Sequence, residues 1–177
     1  MTSAADRLPP SVAREQAQPI EPARLLEANI NPKTGLATDY LNHFNEAIML
    51  LEMLSAMPDC VEDFTAWRPM SYAAHFAASN FKDKALAIDA YHAADPIARQ
   101  NLDALASTMS TILTATREAM QMNLSPRAAG ELATQAAGWL KPLVARAGGV
   151  INGSVAPTAS DGSADAPQAA VDALFDR

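Results

Sequence analysis

Residues 38–57 read TDYLNHFNEAIMLLEMLSAM, the longest apolar-rich helical signal before Asp95. At about 100° of rotation per residue, Tyr40, Leu41, Phe44, Ala47, Ile48 and Leu51 fall on one face. Asp39, Asn42, His43 and Glu46 fall on the other. From Ala47 onward the segment is apolar nearly all round, with Glu52 its one charge. A helix of that kind has to be enclosed by neighbours. The expectation is a central helix whose start is wet (Asp39, His43, Glu46) and whose second half, residues 47–57, is a buried spine. Thr38 or Asp39 is the predicted N-cap, since a side-chain oxygen there accepts from the unpaired N–H groups of the first turn. Pro58 ends the helix.

Working outward, an acidic segment over residues 59–66 leads to Trp67-Arg68-Pro69. Ser71 caps a helix over SYAAHFAAS, Ser79-Asn80 breaks it, and residues 82–94 form the next helix, with Phe81, Ala85, Ile88 and His92 on one face. Asp95-Pro96 is a helix start, with Asp at the cap and Pro where a missing N–H costs nothing. The helix to Met122 places Ala98, Leu102, Leu105, Met109, Ile112, Thr116 and Ala119 at alternating spacings of four and three, a bundle seam. Ser125-Pro126 repeats the start signal. Ala129, Leu132, Ala136, Trp139 and Leu143 follow on one stripe, Pro142 kinks or ends that helix, and Gly148-Gly149 closes the folded part. Upstream, residues 21–29 form a short helix and NPKTG, residues 31–35, a turn.

The organisation expected is a disordered arm with a short helix (residues 1–35), a bundle domain (36–149), a flexible Gly/Ser/Ala/Pro linker (150–167) and a short amphipathic segment (168–177). The fold class is all-α, an antiparallel four- to five-helix bundle with loose ends.

Composition agrees. Of 177 residues, 49% are hydrophobic and only 19% charged, so a core can form, while Ala and Met are plentiful and only 7 are Gly. Ala, Leu, Met and Gln are inexpensive in helices. With 20 acidic against 13 basic residues and a net charge of −7, the chain lacks the cationic footprint that nucleic acid or an anionic membrane surface requires. One cysteine, Cys60, excludes an intramolecular disulfide and a Cys-only zinc site. No signal-peptide core and no membrane-spanning run is evident. A cytoplasmic protein is expected, with no cofactor and with self-association left open. Gly-rich phosphate loops, Ser-His-Asp arrangements and Cys-His pairings at usable spacing do not occur.

Histidine offers two chemistries. His43, with Asp39 and Glu46 beside it, has the ingredients of a phospho-accepting imidazole with an orienting acid, although the residues after it do not follow histidine-phosphotransfer signatures. A metal reading uses His43 and Glu46, one turn apart, Asp89 and His92, also one turn apart, and His75 between them. Trp67, Tyr72, His75 and Phe76 read as a corner plug. Met49, Met53, Met57 and Met70 read as core, with an adaptable binding surface as the alternative.

The tail carries the most distinctive pattern. Gln168, Val171, Asp172, Leu174 and Asp176, with Phe175 extending the apolar side, reproduce Gln-x-x-Val-Asp-x-Leu-x-Asp. This decapeptide resembles the C-terminal peptide of chemotaxis phosphatases of the CheZ family. That peptide, like the N-terminal peptide of flagellar switch proteins, binds the response regulator CheY. The resemblance implies a protein partner with a receiver domain. Phosphatases of that family also use an acid and an amide one helical turn apart, the amide orienting water and the acid engaging a lysine of the target. Glu131 and Gln135 have that spacing, with Glu where the family has Asp, and the same spacing is common on helix surfaces. The expectation is a bacterial regulatory or adaptor protein of a two-component system, a phosphoaspartate phosphatase if it is an enzyme. The alternatives are a metal-binding bundle and a structural helical protein.

Overall fold

The computed structural model describes residues 20–54, 56–57, 60–122 and 124–154. Among them are seven α-helices and no strand: α1 (Pro22–Glu27), α2 (Asn42–Met53), α3 (Val61–Ala66), α4 (Tyr72–Ala78), α5 (Lys84–Ala93), α6 (Pro96–Met120) and α7 (Pro126–Ile151), with a 3-10 turn (Thr38–Leu41) leading into α2. The expected all-α bundle is what forms. The expectations for residues 1–19 and 155–177 lie outside the described residues.

The local start signals act as the chemistry requires. Asp95 Oδ1 accepts from the N–H groups of Ile97 (3.0 Å) and Ala98 (2.9 Å) at the head of α6. Ser125 Oγ accepts from Ala128 N–H (3.3 Å) at α7, and Ser71 Oγ from Ala74 N–H (3.2 Å) at α4. Residues 38–57 depart from their reading: the helix enters through the 3-10 turn, neither Thr38 nor Asp39 caps it by a side chain, and α2 stops at Met53.

The two long helices make the largest pairing, an α-hairpin closed by a short turn after Met120. Its seam is built on small residues. Gly130, Ala133, Ala136 and Ala137 are buried on α7 against Leu102, Ala106, Met109, Ile112, Leu113 and Thr116 of α6. Small side chains let the two backbones approach. The expected α7 stripe is therefore rotated: Leu132, Trp139 and Leu143 sit at the edge of the core, half-buried, while Ala133 and Leu140 take the centre. The same rotation affects α5, where Leu86, Ala87 and Ala90 are buried and Ala85 and His92 face water.

Helix α2 lies on α7 in the antiparallel sense, because its N-terminal neighbour Leu41 meets Gly148 and Glu52 pairs with Lys141. Phe44, Ala47 and Leu51 are completely buried at this contact, in one continuous core.

Two boundaries move. Helix α7 passes through Pro142 and through Gly148-Gly149 to Ile151. Pro142 and Gly138, the residue whose carbonyl loses its partner, are both on the exposed side, so water can satisfy that carbonyl. Val150 and Ile151 are buried, and the Ile151 carbonyl accepts from Thr34 Oγ1 at 2.6 Å. The chain turns away at Gly153, with φ +67°. Residues 150–151 thus belong to the bundle. So do residues 20–35: Leu25, Ala28, Ile30 and Thr34 are buried, and Gly35, at φ +71°, sits where a Cβ would come within 2.8 Å of the Ala90 carbonyl oxygen.

Candidate functional site

Trp67 lies at the C-terminal end of α3 and folds back over α2. Its indole Nε1–H donates to the His43 carbonyl at 3.1 Å, and its ring stacks on the His43 imidazole with centroids 4.6 Å apart and 22° between planes. His43 is consequently only 4% exposed. The wet helix start expected from the sequence is corrected here: of its three polar groups, His43 is inside. A seam reading was available, since Ala47, Leu50, Leu51 and Leu54 follow His43 at helical spacings.

Around His43 the aromatic side chains form a connected plug, as expected. Tyr40, Phe44, Tyr72, His75 and Phe76 join it edge to face or tilted, with ring centroids 4.7–5.9 Å apart. The plug is pinned by polar tips: Tyr40 Oη–H donates to the Met70 carbonyl (2.9 Å) and Tyr72 Oη accepts from Ala37 N–H (2.8 Å). Burial pushes both phenols up.

Burial also pushes the His43 imidazole down, from 6.5 to about 4; His75 adds to that effect and a backbone hydrogen bond at Arg68 opposes it. His75 is pushed down by burial against the backbone and charge of Asp39. His43 is thus a neutral imidazole at pH 7. Its Nε2 is buried with no hydrogen-bond partner.

One side of this arrangement opens as a cleft of about 320 Å³ between α2 and the α3–α4 connection. It is lined by His43, Glu46, Leu50, Asp63, Ala66, Trp67, Arg68 and Met70. Glu46 and Asp63 are exposed at its edge. The Arg68 guanidinium donates to the carbonyls of Thr65 (2.6 Å) and Trp67 (2.8 Å), at the end of α3.

The metal reading does not assemble. His43 and His75 approach each other, with ring centroids 5.9 Å apart, but Asp89 and His92 are exposed on α5, which packs on α4 rather than α2. Among the described residues no group of three or more His, Cys, Asp or Glu comes together. The phospho-accepting role for His43 is also corrected, because the Trp67 ring covers the imidazole. The methionines reverse their expected roles as well: Met49 is 51% and Met57 47% exposed, and Met53 and Met70 are half-buried.

Glu131 and Gln135 stand together on the exposed side of α7. They line an open concavity with Pro126, Arg127, Gly130 and Thr134. Glu131 Oε1 accepts from Arg127 Nε–H at 2.9 Å; both side chains are largely in water, so the pair is easily exchanged for another. Gln168, Val171, Asp172, Leu174, Phe175 and Asp176 lie outside the described residues. Among the described residues no helix is long and apolar enough to cross a membrane. Comparisons of the chain with family models, curated proteins and solved structures find no match.

Proposed function

We propose that this protein is a regulatory or adaptor protein of the bacterial cytoplasm that acts by protein–protein contact, its partner a response-regulator receiver domain. The observation that supports this reading is the exposed face of α7, where Glu131 and Gln135 sit one turn apart with no other element over them among the described residues. A face of this kind can be laid against the phosphorylated surface of another protein without rearrangement of the bundle.

The division of labour follows from chemistry. Residues 168–177 capture the receiver domain, and the chain between them and α7 holds it at an effective concentration of roughly millimolar. The Gln135 carboxamide orients a water towards phosphorus; the water oxygen bonds to phosphorus as the bond to the aspartyl oxygen breaks, giving inorganic phosphate and a free carboxylate. Glu131 exchanges Arg127 for a lysine of the target.

The test uses receiver domains charged with acetyl phosphate, the full chain, a chain ending at Pro167, and Gln135→Ala. Capture by the full chain, loss of capture on truncation, and retained capture with slowed dephosphorylation in Gln135→Ala are expected. Equal capture by the truncated chain would sink the motif reading. Unchanged phosphate release in Gln135→Ala would remove the catalytic part and leave an adaptor.

A further inference from the structure

We propose that Arg68 and Arg117 form a binding site for a single phosphate group, free or carried on another molecule, where the end of α3 meets α6. Both guanidinium groups donate to one oxygen, the Trp67 carbonyl, Arg68 from Nη1 at 2.8 Å and Arg117 from Nη1 at 3.3 Å. The two nitrogens are therefore no further apart than those two distances laid end to end. The oxygen they share is held in place, since the Trp67 indole donates to the His43 carbonyl and stacks on the His43 ring. Arg68 Nη1 also donates to the Thr65 carbonyl at 2.6 Å.

Hydrogen bonds to carbonyls orient a guanidinium and leave its charge in place. Among the described residues the ion pairs are Arg127–Glu131 and Lys141–Glu52, so neither Arg68 nor Arg117 has a carboxylate partner there. Two like charges held this close repel, and an anion between them removes the repulsion. Donors remain for it: Arg68 keeps its Nε–H and the N–H groups of Nη2, and Arg117 keeps all but one of its N–H groups. A phosphate group fits both the donors and the charge, with about −1.5 to −2 near pH 7 and three acceptor oxygens. A lone carboxylate is satisfied by one guanidinium fork and leaves the second charge uncompensated. The carbonyl bonds already position the two forks, which lowers the ordering cost of binding. The surroundings set the size of the ligand. Glu46 and Asp63 share the cleft beside Arg68, while Arg117 is not among the groups that line it. With a net charge of −7 on the chain, the site accepts one compact phosphate and repels an extended polyanion.

The site uses none of the residues assigned to the α7 face at Glu131 and Gln135, so the two stand or fall independently. The full chain is titrated with inorganic phosphate at constant ionic strength, chloride making up the balance, and binding is followed by phosphorus NMR and calorimetry. Saturable one-to-one binding is expected, weakened about tenfold or more by Arg68→Gln and by Arg117→Gln. Arg68→Lys and Arg117→Lys are also expected to weaken it, because an ammonium keeps the charge and loses the fork. These two variants retain a donor for the Trp67 carbonyl, so the test survives a Gln variant that circular dichroism shows to be unfolded. Arg127→Gln, of equal charge change on α7, is expected to leave binding unaltered. A phosphoserine peptide and its unphosphorylated twin separate the sources. Tighter binding of the phosphopeptide than of inorganic phosphate assigns the site to a partner's phosphate, and equal binding assigns it to the free anion. Absence of saturation would overturn the proposal. Equal losses in Arg68→Gln and Arg127→Gln would reduce binding to net charge and do the same. Loss in Arg127→Gln alone would move the phosphate to α7, overturning this site and leaving the reading of Glu131 and Gln135 intact.

Discussion

Acidification should destabilise this protein through His43. The imidazole is pushed from 6.5 to about 4, chiefly by burial, so between these values the unfolded chain binds a proton that the folded chain refuses. Stability is then fully retained above the unfolded value and falls as pH drops from about 6.5 towards 4, levelling below that. Each tenfold change in proton affinity is worth about 1.4 kcal/mol, giving about 2 kcal/mol lost by pH 5 and about 3 by pH 4. The ring borders an open cleft, and water entering it screens part of the cost, which brings the expected loss at pH 5 to about 1–2 kcal/mol. The groups facing His43 are His75, which shifts in the same direction, and Glu46, Asp63 and Arg68 around the cleft. Wild type must therefore be compared with His43→Leu, which keeps those groups and deletes the titrating ring. Urea unfolding followed by circular dichroism at pH 7, 6 and 5 gives two stability curves. They should converge or cross as pH falls, the wild type losing about 1–2 kcal/mol more than the variant. Parallel curves, or an NMR titration of the His43 ring centred at 6 or above, would refute the buried neutral imidazole.

Three further outcomes follow from the packing. Leu51→Asp places a carboxylate at a completely buried position between α2 and α7 and should leave no folded protein, a loss of several kcal/mol visible as absent cooperative melting; a folded variant would mean this face is open. Gly35→Ala, at φ +71° and 2.8 Å from the Ala90 carbonyl oxygen, should lower stability by about 1–3 kcal/mol in denaturant titration. Thr34→Val removes the donor to the Ile151 carbonyl and should cost about 1–2 kcal/mol, with faster amide exchange confined to the last turn of α7.

Much of the fold was legible because its determinants are local. The caps at Ser71, Asp95 and Ser125 and the prolines after the last two depend on chemistry within one turn, so the starts of α4, α6 and α7 fall where their letters place them. The end of α7 was not legible. Glycine pairs and an internal proline are weak helix formers, yet the helix persists because Gly148 admits Leu41 and Thr34 ties down Ile151, contacts made by residues over a hundred positions away. The rotation of α7 has the same origin: the stripe of larger side chains suggests one seam, and the approach of α6 selects the small residues one position away.

The candidate sites divide in the same manner. The pairing of Glu131 and Gln135 on one exposed helix face follows from a spacing of four and needs no tertiary information. His43 is the opposite case. By its own helix it is grouped with Asp39, Asn42 and Glu46 on a polar side; Trp67, 24 residues on, converts it into a buried, neutral imidazole at the head of a cleft. The methionines of α2 follow suit, for helical periodicity states which residues share a face and not which face has a neighbour. The sequence by itself determined the starts of α4, α6 and α7, their caps and the polar pair on α7, because these are set by interactions within a few residues. Only the tertiary structure decided which face of residues 38–57 is covered, since that depends on where α3 and α7 come to rest against it.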